Sequence, residues 1–211
     1  EHLDKEINND GFQFERSIHY HMSDINNYFY VYQLAKLNSL VVDKELENKL
    51  RGLFTTLVKI AYPNRSAPVL QDDTEIPLAE KNDISGAMTL GYLLFEDPEF
   101  GYFATNKVDD RIYWFLSNDK VKMLENIKEK RPVYGSLSFD DTGYYVMREG
   151  WESNDKMMVI VPDWIQINQT TNMEICWGYK RWPMVTLSFL IIRFAIRSKI
   201  LKCLKIQWLR M

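Results

Sequence analysis

Residues 10–21 read Asp10-Gly11-Phe12-Gln13-Phe14-Glu15-Arg16-Ser17-Ile18-His19-Tyr20-His21 and hold two of the three histidines of the chain. From Phe14 onward, apolar residues recur at helical spacing, which predicts a helix from about Phe12 to Leu37. Asp10-Gly11 is a turn signal directly before this helix. We expect Ser17, Tyr20 and His21 to share one helix face, because they lie three or four residues apart.

A phenol beside an imidazole at the start of a helix is suited to proton transfer. The imidazole can receive or stabilise charge as the phenol loses its proton. Tyr20 is therefore the candidate catalytic residue of this stretch. The alternative is a buried tyrosine of an ordinary aromatic-rich helix.

Four further helices are predicted before residue 132. Asp43 caps the second, which ends before Pro63. Residues 63–83 form a polar, proline-bearing loop of a length typical of functional loops. The remaining helices are predicted at Ile84–Phe95, from Lys107 to Trp114 or Leu116, and from a cap at Ser117 through Glu129. Helices joined by short links indicate helical hairpins packed as a solenoid or toroid.

After Arg131-Pro132 the pattern changes to alternating apolar and polar residues, which indicates strands. The predicted strands are Val133–Phe139, Tyr144–Trp151 and Met157–Ile160, and the first two are joined by a hairpin turn at 140–143. The expected fold class is therefore α+β, with a boundary near residue 132.

Charge is distributed unevenly along the 211 residues. Residues 161–211 carry eight Lys or Arg and two acidic residues, whereas the first 160 carry 18 basic and 27 acidic groups. Both cysteines, Cys176 and Cys203, lie in the basic segment, so residues 1–160 hold neither a disulfide nor a cysteine metal site. The charged opening Glu1–Lys5 is not a signal peptide, and we interpret the chain as a fragment that lacks its N-terminal part.

Residues 10–21 resemble the tyrosine-bearing helix of the heparinase II/III-like polysaccharide lyases, nearest to the heparan-sulfate lyases (heparinase III) among them. Residues 139–160, FDDTGYYVMREGWESNDKMMVI, are similar to the strand pair that opens the β-sandwich of that family. The loop 70–73 resembles the Gly-Asp element between them, with Gln71 where glycine is usual. The resemblance implies a partial α/α toroid at 1–131 and the start of an antiparallel β-sandwich at 132–160.

The same resemblance implies β-elimination in a uronic-acid glycan such as heparan sulfate, with Tyr20 as proton donor or acceptor. Glu15, Ser17 and His21 would orient or polarise it, and His19 is a weaker candidate. Arg148 is a candidate contact for a carboxylate or sulfate, although we expect it chiefly to hold the sheet against the helices.

The expected partner is an acidic polysaccharide, with no nucleic acid and no membrane, in a periplasmic or secreted full-length protein. No cofactor is expected within this fragment, and a divalent metal would belong to the missing sandwich region. Because other catalytic groups of the family lie outside the matching residues, we expect the fragment itself to be almost inactive. Three alternatives stay open: an alginate or oligouronate lyase, a non-catalytic glycan-binding module, and a helical scaffold without a glycan role.

The resemblance stops at Val161. In the reading frame that starts at the third base of each codon, the codons for Trp182–Thr186 permit Ala-His-Gly-His, with an obligatory alanine and glycine. After the point where the resemblance ends, the family has a His-Gly-His or His-Ala-His element. We therefore predict that residues 161–211 are an out-of-frame tail. Its apolar run Met184–Ile196 is too short to span a bilayer, and a basic helix lying on a membrane is the minor alternative.

Overall fold

The computed structural model describes residues 3–71, 81–152, 154–162 and 173–177. Helices dominate the first part of the chain and strands the second. The helices are α1 (Leu3–Glu6), α2 (Ile18–Leu37), α3 (Lys44–Ile60), α4 (Ser85–Phe95), α5 (Pro98–Gly101) and α6 (Asn118–Glu125), with a 3₁₀ turn at Ile112–Phe115. The strands are β1 (Ser66–Ala67), β2 (Asn82–Asp83), β3 (Leu137–Phe139), β4 (Tyr144–Arg148), β5 (Met157–Pro162) and β6 (Met173–Trp177).

Helix α2 begins at Ile18, so the predicted start near Phe12 is wrong. Ser17 is the N-cap, and its Oγ accepts a hydrogen bond from the Tyr20 N–H at 3.4 Å. A side-chain acceptor at this position satisfies one of the helix's unpaired N–H groups. The preceding Arg16 has φ 65°, in the left-handed region, and Phe14 is 49% exposed. Phe14 therefore lies at helical spacing from the apolar residues of α2 but is not part of the helix.

The second and third predicted helices are confirmed as α3 and α4. Asp43 caps α3, as predicted, by accepting a hydrogen bond from the Glu45 N–H at 2.9 Å. Asp97-Pro98 follows the end of α4 and begins α5, whose cap is the Asp97 carboxylate. Proline at the first helical position has no N–H to leave unpaired, which explains its place there.

The predicted helix from Lys107 to Trp114 or Leu116 is wrong, since only the 3₁₀ turn Ile112–Phe115 forms. Asp109 accepts hydrogen bonds from both the backbone and the side chain of Arg111, and such local bonds compete with helix formation. Ser117 caps α6 as predicted, but the helix ends at Glu125 rather than Glu129.

Strands β3, β4, β5 and β6 form an antiparallel sheet in chain order, and β1 pairs with β2 in a separate two-stranded sheet. The predicted hairpin between β3 and β4 is confirmed. It pairs Phe139 with Tyr144 and is closed by the Gly143 N–H, which donates to the Phe139 carbonyl at 2.7 Å. Gly143 has φ 82°, a conformation that glycine adopts readily.

Strand β6 pairs with β5 and lies within the segment predicted to be out of frame. Residues 163–172 and 178–211 of that segment lie outside the described residues, so the frameshift stays a prediction.

One hydrophobic core joins the helices and the sheet across the boundary predicted near residue 132. Phe12 stands at its centre, in edge-on contact with the rings of Phe139 and Tyr144 at centroid distances of 5.5 and 5.4 Å. All three residues are essentially inaccessible to solvent. Burying a phenylalanine side chain stabilises a fold by roughly 1.5–3 kcal/mol, so the helices and the sheet stabilise each other.

The architecture is α+β, with a helical layer followed by an antiparallel sheet. Among the described helices, none combines the length and the apolar character that crossing a membrane would require. The described residues also contain no cluster of three or more His, Cys, Asp or Glu side chains placed to hold a metal ion.

Candidate functional site

Asp10 links the turn that precedes α2 to the β3–β4 hairpin. The Asp10 carboxylate accepts hydrogen bonds from the Thr142 N–H at 2.7 Å and the Thr142 hydroxyl at 2.9 Å. It also accepts from the Phe12 N–H at 3.2 Å, and the Asn8 amide donates to the Thr142 hydroxyl at 3.1 Å. The Asp-Gly and Thr-Gly motifs, both noticed in the sequence as turns, therefore form one contact.

Both the backbone conformation and the space next to α3 require glycine at position 11. Its φ is 86°, and a Cβ at this position would lie 2.6 Å from the Thr56 Oγ of α3. No side chain fits at that distance without displacement of its neighbour. The turn consequently packs directly against the α3 backbone, and this close approach positions the residues that follow.

His21 is fully buried and serves the fold. Its Nδ1 accepts a hydrogen bond from the Gln13 N–H at 3.2 Å, so the imidazole is protonated on Nε2, which donates to the Leu53 carbonyl at 2.9 Å. Burial lowers the pKa of His21 to about 4, because the charged form would lose its hydration. With both ring nitrogens occupied by backbone groups, His21 is neutral and has no nitrogen left for the Tyr20 phenol.

Tyr20 lies beside His19 instead. Their ring centroids are 5.4 Å apart, and both side chains are half-buried in the first turn of α2. This arrangement corrects the expected geometry, in which Tyr20 and His21 shared one helix face and His19 was the weaker candidate. In α2, which begins at Ile18, His21 lies on the face that packs into the core and is therefore buried.

The other predicted site residues occupy different positions around this turn. Glu15 is exposed, and its N–H donates to the Gln13 side-chain carbonyl at 2.8 Å. Ser17 is buried, and its hydroxyl caps α2 rather than contacting the Tyr20 phenol. The Arg16 carbonyl accepts a hydrogen bond from the Tyr144 hydroxyl at 3.0 Å.

Arg148 connects the sheet to the end of α3. Its Nη2 donates to the carbonyls of Ala61 and Lys59 at 2.7 and 3.1 Å, and its guanidinium carbon lies 3.7 Å from the ring centroid of Trp151. Only 5% of the residue is exposed, and burial lowers its pKa to about 10. Nε and Nη1 have no hydrogen-bond partner among the described residues. This placement agrees with the expected role of holding sheet against helices.

Around the start of α2, Glu15 is exposed, and Tyr20 and His19 are half-buried. A phenol can donate or accept a proton, and a neighbouring imidazole can share the charge that results. Sequence reasoning missed the buried supports of the site, Gln13 and Thr142. Thr142 lies in the predicted hairpin turn, but nothing in the sequence linked it to Asp10.

Residues 1–97 match the family model described as the heparinase II/III N-terminus. The heparin-sulfate lyase of Pedobacter heparinus is 24% identical over 163 residues, covering 75% of this chain and 21% of that protein. The heparin-sulfate lyase of Bacteroides thetaiotaomicron is 23% identical over 168 residues, covering 76% and 22%. The chain thus spans about one fifth of the length of these relatives.

Solved structures share the fold. A heparinase III gene product superposes with a TM-score of 0.55 at 18% identity, covering 89% of this chain and 29% of its own. A second crystal structure of heparinase III gives a TM-score of 0.53 at 20% identity, covering 76% and 23%.

Proposed function

We propose that the chain contributes to a polysaccharide lyase that cleaves heparan sulfate or a related uronic-acid glycan by β-elimination, because residues 1–97 match the heparinase II/III N-terminus. In this proposal Tyr20 is the proton donor or acceptor. The helices form part of an α/α toroid, and the sheet is the start of a β-sandwich. The substrate is an acidic polysaccharide, and the full-length protein works in the periplasm or outside the cell.

The reaction removes the C5 proton of a uronate and expels the glycosidic oxygen from C4 of the same ring. The electron pair of the broken C–H bond forms the C4–C5 double bond, and the departing oxygen takes a proton. A phenol can perform either proton step, since it is both a donor and an acceptor. Positioned acid–base groups of this kind typically contribute about 10²–10⁴-fold in rate.

The observation that supports the proposal is the half-buried pair of Tyr20 and His19 at the start of α2. The loop before the pair is held at two points: Asp10 accepts hydrogen bonds from Thr142, and the Gln13 N–H donates to the buried His21. A proton-transfer group is effective only when its geometry is held by surrounding structure. We therefore propose that His19 polarises the phenol and that Glu15, which is exposed, contacts the substrate.

The test places Tyr20→Phe in the longer gene that contains this chain and measures unsaturated-uronate absorbance on heparan sulfate. We expect the rate to fall at least about 100-fold, because the acidic hydrogen of the phenol is lost. Tyr113→Phe removes a hydroxyl from a tyrosine exposed elsewhere on the surface and is the matched control. Retained activity in Tyr20→Phe would exclude Tyr20 from the chemistry.

Substrate class is tested by offering alginate to the same protein. Cleavage of alginate but not of heparan sulfate would indicate that the protein is an alginate or oligouronate lyase. Binding of either polymer without an unsaturated product, unchanged by Tyr20→Phe, would indicate a glycan-binding module. If neither polymer binds, a helical scaffold is the better description. We expect the 211-residue chain by itself to show almost no turnover.

The out-of-frame origin of residues 161–211 is a separate proposal. It is supported by the obligatory alanine and glycine in the shifted codons of Trp182–Thr186. Resequencing the gene tests it, and an intact frame through residue 211, shared with homologous genes, would rule it out.

A further inference from the structure

Three segments of the chain meet at the hydroxyl of Tyr144, the first residue of β4. The hydroxyl donates a hydrogen bond to the Arg16 carbonyl at 3.0 Å and accepts one from the Gln71 side-chain amide at 3.1 Å. Arg16 belongs to the turn before α2, and Gln71 lies in the loop that follows β1. The three stretches of sequence that resemble the lyase family thus meet at one hydroxyl group.

The chemistry of the partners sets the direction of both hydrogen bonds. A backbone carbonyl only accepts, so the hydrogen of the Tyr144 hydroxyl points to the Arg16 oxygen, and the Tyr144 oxygen accepts the Gln71 N–H. Tyr144 is fully buried, and its ring packs edge-on against Phe12 at a centroid distance of 5.4 Å. The hydroxyl is therefore held in place by the core as well as by its partners.

Arg16 needs such support because its backbone lies in the left-handed region, with φ 65°. A residue with a Cβ persists in this conformation only when its surroundings hold it there. The Arg16 N–H donates to the Gln13 carbonyl at 2.9 Å within the turn. The Tyr144 hydroxyl holds the same residue at its carbonyl. The backbone of Arg16 is consequently fixed at both ends.

The Arg16 carbonyl connects Tyr144 to the candidate site. It belongs to the planar peptide group that joins Arg16 to Ser17, so the hydrogen bond from Tyr144 also sets the orientation of Ser17. Ser17 is the N-cap of α2, and its Oγ accepts a hydrogen bond from the Tyr20 N–H at 3.4 Å. The position of Tyr20 at the start of α2 therefore depends on the Tyr144 hydroxyl.

We propose that Tyr144 is a positioning residue for the Tyr20 phenol, and that Gln71 orients the hydroxyl through which Tyr144 acts. Because Tyr144 is buried, it acts through the start of α2 and not by contact with a substrate. Its hydroxyl determines how the Tyr20 ring lies beside His19. The catalytic consequence rests on the proposed function of Tyr20, whereas the positioning itself can be measured without a substrate.

The first measurement is the aromatic NMR spectrum of the 211-residue chain. Tyr144→Phe keeps the ring that packs against Phe12 and removes only the hydroxyl, so the fold should be retained. We expect the ring signals of Tyr20 and His19 to shift in this variant. Unchanged signals of both rings would overturn the proposal.

Tyr92→Phe is the matched control, because Tyr92 is also buried and its hydroxyl accepts a hydrogen bond from the Lys128 N–H at 3.0 Å. It should leave the signals of Tyr20 and His19 in place, and shifts equal to those of Tyr144→Phe would show that any buried tyrosine hydroxyl has this effect.

Gln71→Gly tests the second part of the proposal. It removes the amide donor and suits the backbone at this position, where φ is 59°. We expect the same ring signals to shift less than in Tyr144→Phe, and no further shift when the two substitutions are combined, because both act through one hydroxyl. Additive shifts would exclude Gln71 from this role.

The second measurement is turnover of heparan sulfate by the longer protein that contains this chain. Tyr144→Phe should lower kcat at least about tenfold and change KM less than about twofold, because the geometry of the phenol is disturbed and not substrate binding. The pH at which kcat is half-maximal should also shift, since it reports the acid and base groups of the enzyme–substrate complex. Tyr92→Phe should change neither quantity.

The outcomes separate this proposal from the proposed function. Full activity in Tyr144→Phe with loss of activity in Tyr20→Phe would overturn the positioning role alone. A lower kcat with an unshifted pH profile would overturn it as well, because a smaller folded fraction only scales the profile. Full activity in Tyr20→Phe would refute the proposed function, and the NMR shifts would still decide whether Tyr144 positions the Tyr20 ring.

Discussion

Asp10 and Thr142 are 132 positions apart in the sequence, yet the carboxylate of Asp10 accepts hydrogen bonds from both the backbone and the hydroxyl of Thr142. The contact joins the turn that precedes α2 to the hairpin of the sheet. Since the same turn leads directly to Tyr20, the geometry of the candidate site depends on the sheet as well as on the helices.

Removing this contact should destabilise the whole fold. Hydrogen bonds to a charged group contribute about 1.5–3 kcal/mol each, so Asp10→Ala should lower the free energy of unfolding by about 3 kcal/mol. Urea denaturation of Asp10→Ala, Thr142→Ala and the double variant measures the coupling between them. We expect a coupling energy of about 1–3 kcal/mol, and strictly additive effects would contradict the contact.

Gly11→Ala should destabilise the protein by about 1–3 kcal/mol. Left-handed backbone costs a residue with a Cβ roughly 1–2 kcal/mol, and the new Cβ would also meet the Thr56 Oγ at 2.6 Å. Thermal unfolding checks the loss. Gly86→Ala in α4 is the control, because its Cβ would meet nothing within 4 Å and alanine favours the helix. A Gly11 variant as stable as the control would show that the turn can relax.

His21 should make stability depend on pH between about 6.5 and 4. In this interval the unfolded chain binds a proton at His21, whereas burial lowers the folded pKa to about 4. Lowering the pH therefore favours unfolding, by about 1.4 kcal/mol per pH unit and about 3 kcal/mol in total. Urea denaturation at pH 7.5 and pH 5 should show a loss of about 2 kcal/mol that is absent in His21→Gln.

The half-buried His19 supplies the matched control for that measurement. His19→Gln should keep the pH dependence of the unsubstituted protein. If His19→Gln removes the dependence and His21→Gln retains it, the assignment of His21 as the neutral buried histidine is incorrect.

Arg148→Lys should cost about 2–3 kcal/mol of stability although it keeps the charge. Lysine cannot reproduce the planar contact with Trp151 or the paired N–H geometry of the guanidinium toward the Lys59 and Ala61 carbonyls, so part of these charged hydrogen bonds would be lost. Denaturation midpoints measure the loss. Arg131→Lys changes an exposed residue that pairs with Glu152 and should leave stability nearly unchanged, because exposed ion pairs contribute little. Similar losses in both variants would argue against a special role for the buried guanidinium.

Local signals in the sequence predicted local structure well. The caps at Asp43 and Ser117 and the hairpin before Gly143 depend only on residues within a few positions of one another, and all three are confirmed. The predicted helix after Lys107 is wrong for a local reason too. The Asp109 carboxylate accepts hydrogen bonds from the backbone and the side chain of Arg111.

The site was harder to predict, because its arrangement depends on contacts between distant residues. Spacing alone put Tyr20 and His21 on one face, but the Leu53 carbonyl of α3 binds His21 and turns it to the core. Helical periodicity also counted Phe14 as part of α2, although the chain reverses at Arg16 before the helix begins. The family resemblance selected residues 10–21 as the candidate site, and the structure shows which of their side chains are buried.

The central place of Phe12 also affects how the protein is made. A ribosome adds about 5–20 residues per second, so Phe12 leaves the peptidyl-transferase centre on the order of ten seconds before Phe139 and Tyr144 do. During that interval the aromatic side chain has no sheet to pack against and is a natural target for chaperones. Slowing translation downstream of α6 should therefore lower the soluble yield of this protein.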